Sequence, residues 1–417
     1  MSRIVITGLG AVTPIGSDVE TFWRNLTAGV SGIDFITRFD TTNFPVHTAA
    51  EVKGFDAASY IGRKLARRTG RAAQLALVAA RQAIADAGLT IGDSNAPRIG
   101  IVLNTALAGT SEMEQGARSL LTKGPRSLGP FLIPSVMPNS LSCLVSIETG
   151  IRGPVMTSTA ACASGNYALL EAYHFLQRGE TDIMLAGASE SLPGPVLLAA
   201  FERMGALSHR DGAPEEASRP FDADRDGFVC GEGAAVLVLE TEEHARQRGA
   251  RIYAELLGGR LTADAYHITA PDPSGNGAVR AMHGALLSAG LAPEDVDVIF
   301  AHGTSTRLND ATETRAIKSV FGEHARRLAI TATKSMVGHA LGAAGAIASL
   351  AALLTLYHGL IPPTINYHTP DPECDLDYVP NVARRQPVQV AMVNAFGFGG
   401  QNVAVILRRH EQGGGAG

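Results

Sequence analysis

The chain has 417 residues, too many for one small domain and enough for two fused halves around a shared core. Hydrophobic residues make up 45%, aromatics only 6%, and Gly numbers 46, a composition that suits helices packed closely on sheets. The formal charge of −5 comes with no basic or acidic block, which argues against nucleic acid or an anionic membrane as the main partner.

The opening MSRIVITGLG has no long apolar leader and reads as a first strand. It runs into GLGAVTPIG, which lacks the third glycine of a dinucleotide loop and is interrupted by Pro14, so no nucleotide site is assigned. GRKLARRTGRAAQ reads as helical, with Arg63, Lys64, Arg67 and Arg68 on one face and Arg71 following. The helix AAQLALVAARQAIADAG and the strand RIGIVLNT come next. MTSTAACASGNYALLEA then sets Cys162 among small residues before a helix expected to start near residue 163. The strands DIMLAGAS and AAVLVLE flank DADRDG, where Asp222, Asp224 and Asp226 mimic a calcium loop. Its twelfth position is Gly233 rather than Glu, and calcium is rejected.

The order of strands and helices returns with RIYAELLGG, AVRAMHGALLSAG, VDVIFAHGT, DATETRAIKSVFG and QVAMVNAFGFGG. This alternation predicts an α/β fold with much parallel pairing, divided into halves 1–250 and 251–417. Each half has a small-residue turn entering a long apolar helix, at Ser158–Gly165 and Gly338–Gly345. The uncharged run 340–357 reaches the lower length limit of a membrane span. Its Gly and Ala content and the lack of flanking Lys/Arg clusters make it a buried helix instead. The terminal EQGGGAG is expected to fray. Cys143, Cys162, Cys230 and Cys374 form no CxxC pair, so neither a disulfide framework nor a zinc set is expected, and a reducing cytoplasm is.

On its own Cys162 is either a small core residue or a nucleophile whose thiol pKa is lowered by the helix start. His302 follows a strand in FAHGTST, and His339 opens the second central helix in TKSMVGHALGAAGA, with Lys334 five residues upstream. Either histidine alone reads first as a structural residue. Together with the cysteine they match a site where neutral imidazoles donate to a developing oxyanion. NAFGFGGQN is either a plain glycine turn with Phe396 and Phe398 in the core, or a backbone that approaches a ligand closely.

These residues, with VITGLGAVTPIG, RPFDADRDGFVCGEGAAVLVLE, DAYHITAP and PPTINYHTPDPECDLDYVP, make the chain resemble the β-ketoacyl-acyl-carrier-protein synthases nearly end to end. Those are condensing enzymes of the thiolase fold, a duplicated, layered α-β-α-β-α architecture. The resemblance implies that Cys162 carries the acyl chain as a thioester. His302 and His339 would bind the malonyl thioester carbonyl and favour loss of carbon dioxide. The N–H groups of Cys162 and Phe398 would form the oxyanion hole, with the Phe398 side chain gating the acyl pocket. Lys334 matches the family's active-site lysine and Glu313 its supporting carboxylate, and Phe396, Thr304 and Thr306 complete the surroundings. No metal or cofactor is implied, the substrates being held on the phosphopantetheine of acyl carrier protein.

The same resemblance makes an acidic acyl carrier protein the partner, docked near Arg63, Lys64, Arg67 and Arg68. It also implies a dimer, either with an identical chain or with a chain-length-factor-like homologue. HGTSTRLNDATET and TPDPECDLDYVP look like ketosynthase subunits of type II polyketide systems. HGTST, GHALGAAGA and GFGGQN lean towards fatty-acid elongation synthases. The reading adopted is a polyketide or polyene ketosynthase, with a housekeeping elongation synthase as the alternative. A non-catalytic partner subunit is disfavoured by Cys162, and a thiolase-like enzyme because its chemistry needs a second cysteine as base, which a two-histidine site with the lysine does not provide. Met113, Phe131, Leu132 and Phe201 are candidate pocket residues. Ala161 and Asn166, beside the nucleophile, are candidates for starter preference.

Overall fold

The computed structural model describes residues 2–210 and 212–410, so the EQGGGAG tail lies outside the described residues. The first half contributes strands β1 (Ile4–Val12), β2 (Ile99–Asn104), β3 (Val155–Met156), β4 (Ile183–Glu190) and β5 (Gly233–Thr241). The second contributes β6 (Ala254–Ala263), β7 (Val298–Phe300), β8 (Ala329–Thr331), β9 (Val390–Gly397) and β10 (Gln401–Arg409). The ten run in the order β8-β7-β9-β10-β6-β1-β5-β4-β2-β3.

Each half repeats one plan. β1 pairs antiparallel with β5 and β5 with β4, whereas β4–β2 and β2–β3 are parallel. In the second half β6–β10 and β10–β9 are antiparallel, and β9–β7 and β7–β8 parallel. The order is therefore third-second-fourth-fifth-first in both, which is the expected duplication. The halves meet where β1 and β6 pair through Ile4↔Leu256, Val5↔Glu255 and Ile6↔Ala254. We propose the domain boundary at 250/251, just before β6.

Strand alternation assigns side chains to layers. Ile101, Leu103, Leu185, Val236 and Val238 pack against α1 (Arg71–Asp86) and α2 (Ser140–Thr149) on one outer face. Val102, Met184, Ala186, Leu237 and Leu239 point the other way, onto α3 (Ser164–Gln177). Ile299, Met392 and Ile406 cover the opposite outer layer of α4 (Asn276–Ala289) and α5 (Arg307–Phe321). The inward faces of β7, β9 and β10 join α3 and α6 (Ala344–His358) in the central layer. The result is α-β-α-β-α, and the apolar run of the second half is a helix buried between the sheets.

The two small-residue turns meet at the centre. A Cβ on Gly165 would lie 2.3 Å from the Ala346 nitrogen, and one on Gly345 2.7 Å from Asn166 Oδ1. Asn166 fastens this contact, donating to the Val393 carbonyl (2.9 Å) and accepting from Ser349 Oγ (3.2 Å). Because the neighbour is backbone, Gly165→Ala is expected to destabilise the fold by about 1–3 kcal/mol, read by denaturant unfolding.

Two local expectations are corrected. α6 begins at Ala344 after a single tight turn at Leu341–Ala343, so His339 precedes the helix. It sits instead on an extended segment, donating from its N–H to the Val229 carbonyl (2.7 Å) and accepting from Gly231 N–H (2.9 Å). The basic stretch is not one helix either: the short turn Arg63–Ala66 ends at Arg67, and the extended Gly70 caps α1 from Arg71, so Arg67–Gly70 divide it. Arg63, Lys64, Arg67 and Arg68 are exposed there. Arg71 turns inward to pair with the buried Glu232 at 2.7 Å.

Candidate active site

Cys162 lies on a tight turn that feeds α3. Ala163 caps the helix, which starts at Ser164, one residue later than expected. Ala161 adopts a left-handed φ of +48, and Ser164 closes the turn with its N–H on the Ala161 carbonyl (3.1 Å) and its hydroxyl accepting from Ala160 N–H (2.9 Å). The end of β9 passes directly over this turn. A Cβ on Gly397 would meet the Ala160 oxygen at 2.7 Å and the Cys162 nitrogen at 3.0 Å, so only glycine permits the approach. It brings the N–H of Phe398 to the sulfur, where with the N–H of Cys162 it favours the anion.

Strand β7 delivers His302 two residues beyond its end. Glu313, on α5, accepts from the N–H groups of His302 (2.8 Å) and Gly303 (2.9 Å) and from Asn394 Nδ2 (3.2 Å). Asp310 accepts from Thr304 N–H (3.0 Å), and the Thr304 and Thr306 hydroxyls bond each other at 2.9 Å. Lys334 donates to the His302 carbonyl at 2.5 Å and lies 3.5 Å from His302 Nδ1. An ammonium can only donate, so Lys334 fixes His302 as the tautomer protonated at Nε2. The His302 and His339 rings meet edge to face with centroids 5.5 Å apart. Phe396 packs on His302 at 5.6 Å and Phe228 on His339 at 5.2 Å. Nδ1 of His339 is buried with no hydrogen-bond partner among the described residues.

Burial dominates the electrostatics. It holds both imidazoles well below their usual range, and the positive charge of Lys334 adds to this, so both are neutral near pH 7. Burial also lowers Lys334, which Glu313 partly restores, and raises Glu313. The Cys162 thiol is pushed up to about 11, chiefly by burial, against Lys334 and the two N–H groups. The expected lowering of its pKa by the helix start is therefore reversed in the resting site. Alkylation by neutral iodoacetamide should rise about tenfold per unit between pH 7 and 9 and still be climbing at pH 10. A plateau near pH 7 would restore the helix-start reading.

An apolar cluster surrounds the sulfur, formed by Ile36, Val46, Leu192, Leu198, Phe228 and Leu341 with Phe201 against it. Phe201 thus lies where expected, with its ring 6.4 Å from that of Phe398. Met113 and Phe131 are exposed, and Leu132 packs over Gly116, so none of these three joins the cluster within this chain. Sequence reasoning passed over Asn394, Phe228 and Glu190. Asn394 stands inside the quoted VNAFGFGG, but nothing local marks it as a partner of Glu313. Asp222, singled out in the calcium-like loop, instead accepts from the N–H groups of His368 (2.6 Å) and Thr369 (2.7 Å).

A duplicated five-layer fold, with a cysteine at one central helix and two histidines from the other half beside it, defines a condensing enzyme of the thiolase class. Comparison with known proteins narrows this further. Residues 1–245 match the Beta-ketoacyl synthase N-terminal domain and 253–368 its C-terminal domain, and the chain belongs to that family. It is 47% identical to a 3-oxoacyl-[acyl-carrier-protein] synthase 2 of Synechocystis sp., over 98% of each chain. It is 46% identical to that of Coxiella burnetii, again over 98% of each. Among solved structures, the ishigamide ketosynthase/chain length factor superposes with a TM-score of 0.92 at 40% identity, covering 98% of this chain and 100% of that one. A type II PKS acyl-carrier protein in complex with its ketosynthase, bound to the hexaketide, gives 0.91 at 38%, with the same coverage.

Proposed function

We propose that this chain catalyses decarboxylative condensation of malonyl-carrier with an acyl chain held on Cys162, as the ketosynthase subunit of a type II polyketide or polyene system. The observation that carries the reading is the convergence of Cys162, under two backbone N–H groups, with two neutral imidazoles and the lysine that orients one of them. The Cys162 sulfur attacks the carrier thioester, and the thiol proton leaves on the released pantetheine sulfur. The malonyl thioester then loses carbon dioxide, its carbonyl oxygen gaining negative charge against the imidazole N–H groups. The resulting carbanion attacks the Cys162 thioester, whose oxyanion faces the N–H groups of Cys162 and Phe398. Collapse releases β-ketoacyl-carrier and the Cys162 thiolate, which takes up a proton. Loss of carbon dioxide drives the sequence, and no metal or cofactor has a part in it.

An acyl carrier protein fits as partner through the exposed Arg63, Lys64, Arg67 and Arg68. Lys64→Glu with Arg67→Glu is expected to raise KM for the carrier about tenfold, leave kcat unchanged and lose its effect at high salt. The edge strand β3, two residues long and half-buried, suits pairing with a second chain, either identical or chain-length-factor-like. The cytoplasm is the compartment this chemistry and the unpaired cysteines suit. A housekeeping elongation synthase is the second reading, favoured by the 47% identity to 3-oxoacyl-[acyl-carrier-protein] synthase 2. Assay of the purified chain alone with saturated acyl-carrier and malonyl-carrier separates the two. Multiple turnovers without a partner select elongation. Product only after a chain-length-factor-like subunit is added selects the polyketide system.

A further inference from the structure

Glu190, the last residue of β4, is a fully buried carboxylate that the condensation steps leave unused. Among the described residues no cation lies within salt-bridge distance of it. Its two oxygens instead gather donors from two separate segments. From the turn after β2 come the Thr105 hydroxyl (2.8 Å) and the N–H groups of Ala106 (2.7 Å), Leu107 (3.2 Å) and Ala108 (3.1 Å). From the turn leading into α6 comes the N–H of Gly342, at 3.1 Å.

Both segments are bent around this group. Ala108 (φ +47) and Leu341 (φ +43) hold left-handed backbone, which non-glycine residues adopt only when the surroundings enforce it. A Cβ on Gly342 would meet the Ala106 nitrogen at 2.4 Å and Glu190 Oε2 at 2.8 Å, so the two turns and the carboxylate are in contact. Ala106, Leu107 and Leu341 all belong to the apolar cluster that contains Cys162.

We infer that Glu190 is a positioning residue, a carboxylate clasp that joins the Thr105–Ala108 turn to the Leu341–Gly342 turn and so sets the wall of the acyl pocket around Cys162. The inference rests on the proposed reading for what fills that pocket, and the clasp itself is independent of it. A carboxylate offers only acceptors to these five donors, whereas an amide of the same shape sets its own N–H groups against them. Burial pushes the Glu190 carboxyl up to about 7, so above that pH the clasp also places a negative charge near the sulfur, which Lys334 and Cys230 face as well.

Glu190→Gln tests this on the full chain with two readouts. The ratio of Cys162 acylation rates for dodecanoyl- and hexanoyl-carrier should change at least fivefold. The pH profile of Cys162 alkylation by iodoacetamide should move to lower pH as the nearby charge is lost. A folded Glu190→Gln chain with both profiles unchanged overturns the inference. If that variant does not fold, Thr105→Val decides, since it removes one donor and keeps the shape. A smaller change of the acylation ratio in the same sense supports the clasp, and an unaltered ratio overturns it. Should the wild-type chain accept no acyl group at all, the proposed function fails. The alkylation profile then still judges the clasp, because it needs no substrate.

Discussion

Replacing Cys162 by Ala is expected to lower condensation by about 10⁴-fold or more, since the N–H groups of Cys162 and Phe398 bear on the Cys162 sulfur and burial pushes the thiol of the neighbouring Cys230 up still further. The loss should be selective. His302 and His339 are held by contacts that do not involve the sulfur: Glu313 and Lys334 for one, the Val229–Gly231 segment for the other. Carbon dioxide release from malonyl-carrier should therefore survive in Cys162→Ala while β-ketoacyl-carrier disappears. Folding should survive too, because the side chain is small and lies in an apolar cluster rather than in a paired network. Labelled carbon dioxide and carrier mass, followed in one reaction, separate the two steps.

The reverse dissociation is expected at the histidines. Ala in place of either should cut carbon dioxide release about 10²–10⁴-fold, the range for losing a positioned donor at a developing charge. Acyl transfer to Cys162 should persist, because the proposed oxyanion donors are backbone groups that neither imidazole supplies. The two substitutions should also differ in kind. His302 is locked by Lys334 at its carbonyl and at Nδ1, so Lys334→Met should reproduce part of the His302→Ala defect. His339, with Nδ1 unpartnered among the described residues, has no such second residue there to imitate its loss. Equal loss of both half-reactions in every variant would mean that the site acts as one unit.

Much of this was legible from local pattern. Apolar runs bounded by glycine or charge marked β1, β2, β4, β5, β6, β7 and β9, and 3.6-residue periodicity marked α1, α3, α4, α5 and α6 in order, whereas β10 and α2 went unread. Cys162, His302 and His339 stood out because each stands among small residues next to an apolar run, a property carried by a few consecutive positions, although His339 does not open the helix as expected. What escaped depends on groups far apart in the chain. Burial decides the Cys162 thiol, and it comes from Phe228, Leu192 and Ile36 rather than from the quoted helix start. Glu232 lies 161 residues from Arg71, so nothing near Arg71 announced that its guanidinium leaves the basic surface for a buried ion pair. The basic helix broke at Arg67–Gly70, where the extended backbone of Gly70 starts α1 afresh, an angle that residue spacing alone does not reveal. Met113, Phe131 and Leu132 were named for a pocket that Ile36, Val46 and Leu341 help to build in this chain.

The most direct test of the account follows the intact mass of the chain during one turnover. With acyl-carrier supplied, the mass should rise by one acyl group, and peptide mapping should place it on Cys162. Addition of malonyl-carrier should then remove that group, release one carbon dioxide and yield one β-ketoacyl-carrier per acyl group consumed. An acyl group on any other residue, or condensation that persists in Cys162→Ala, would contradict the account.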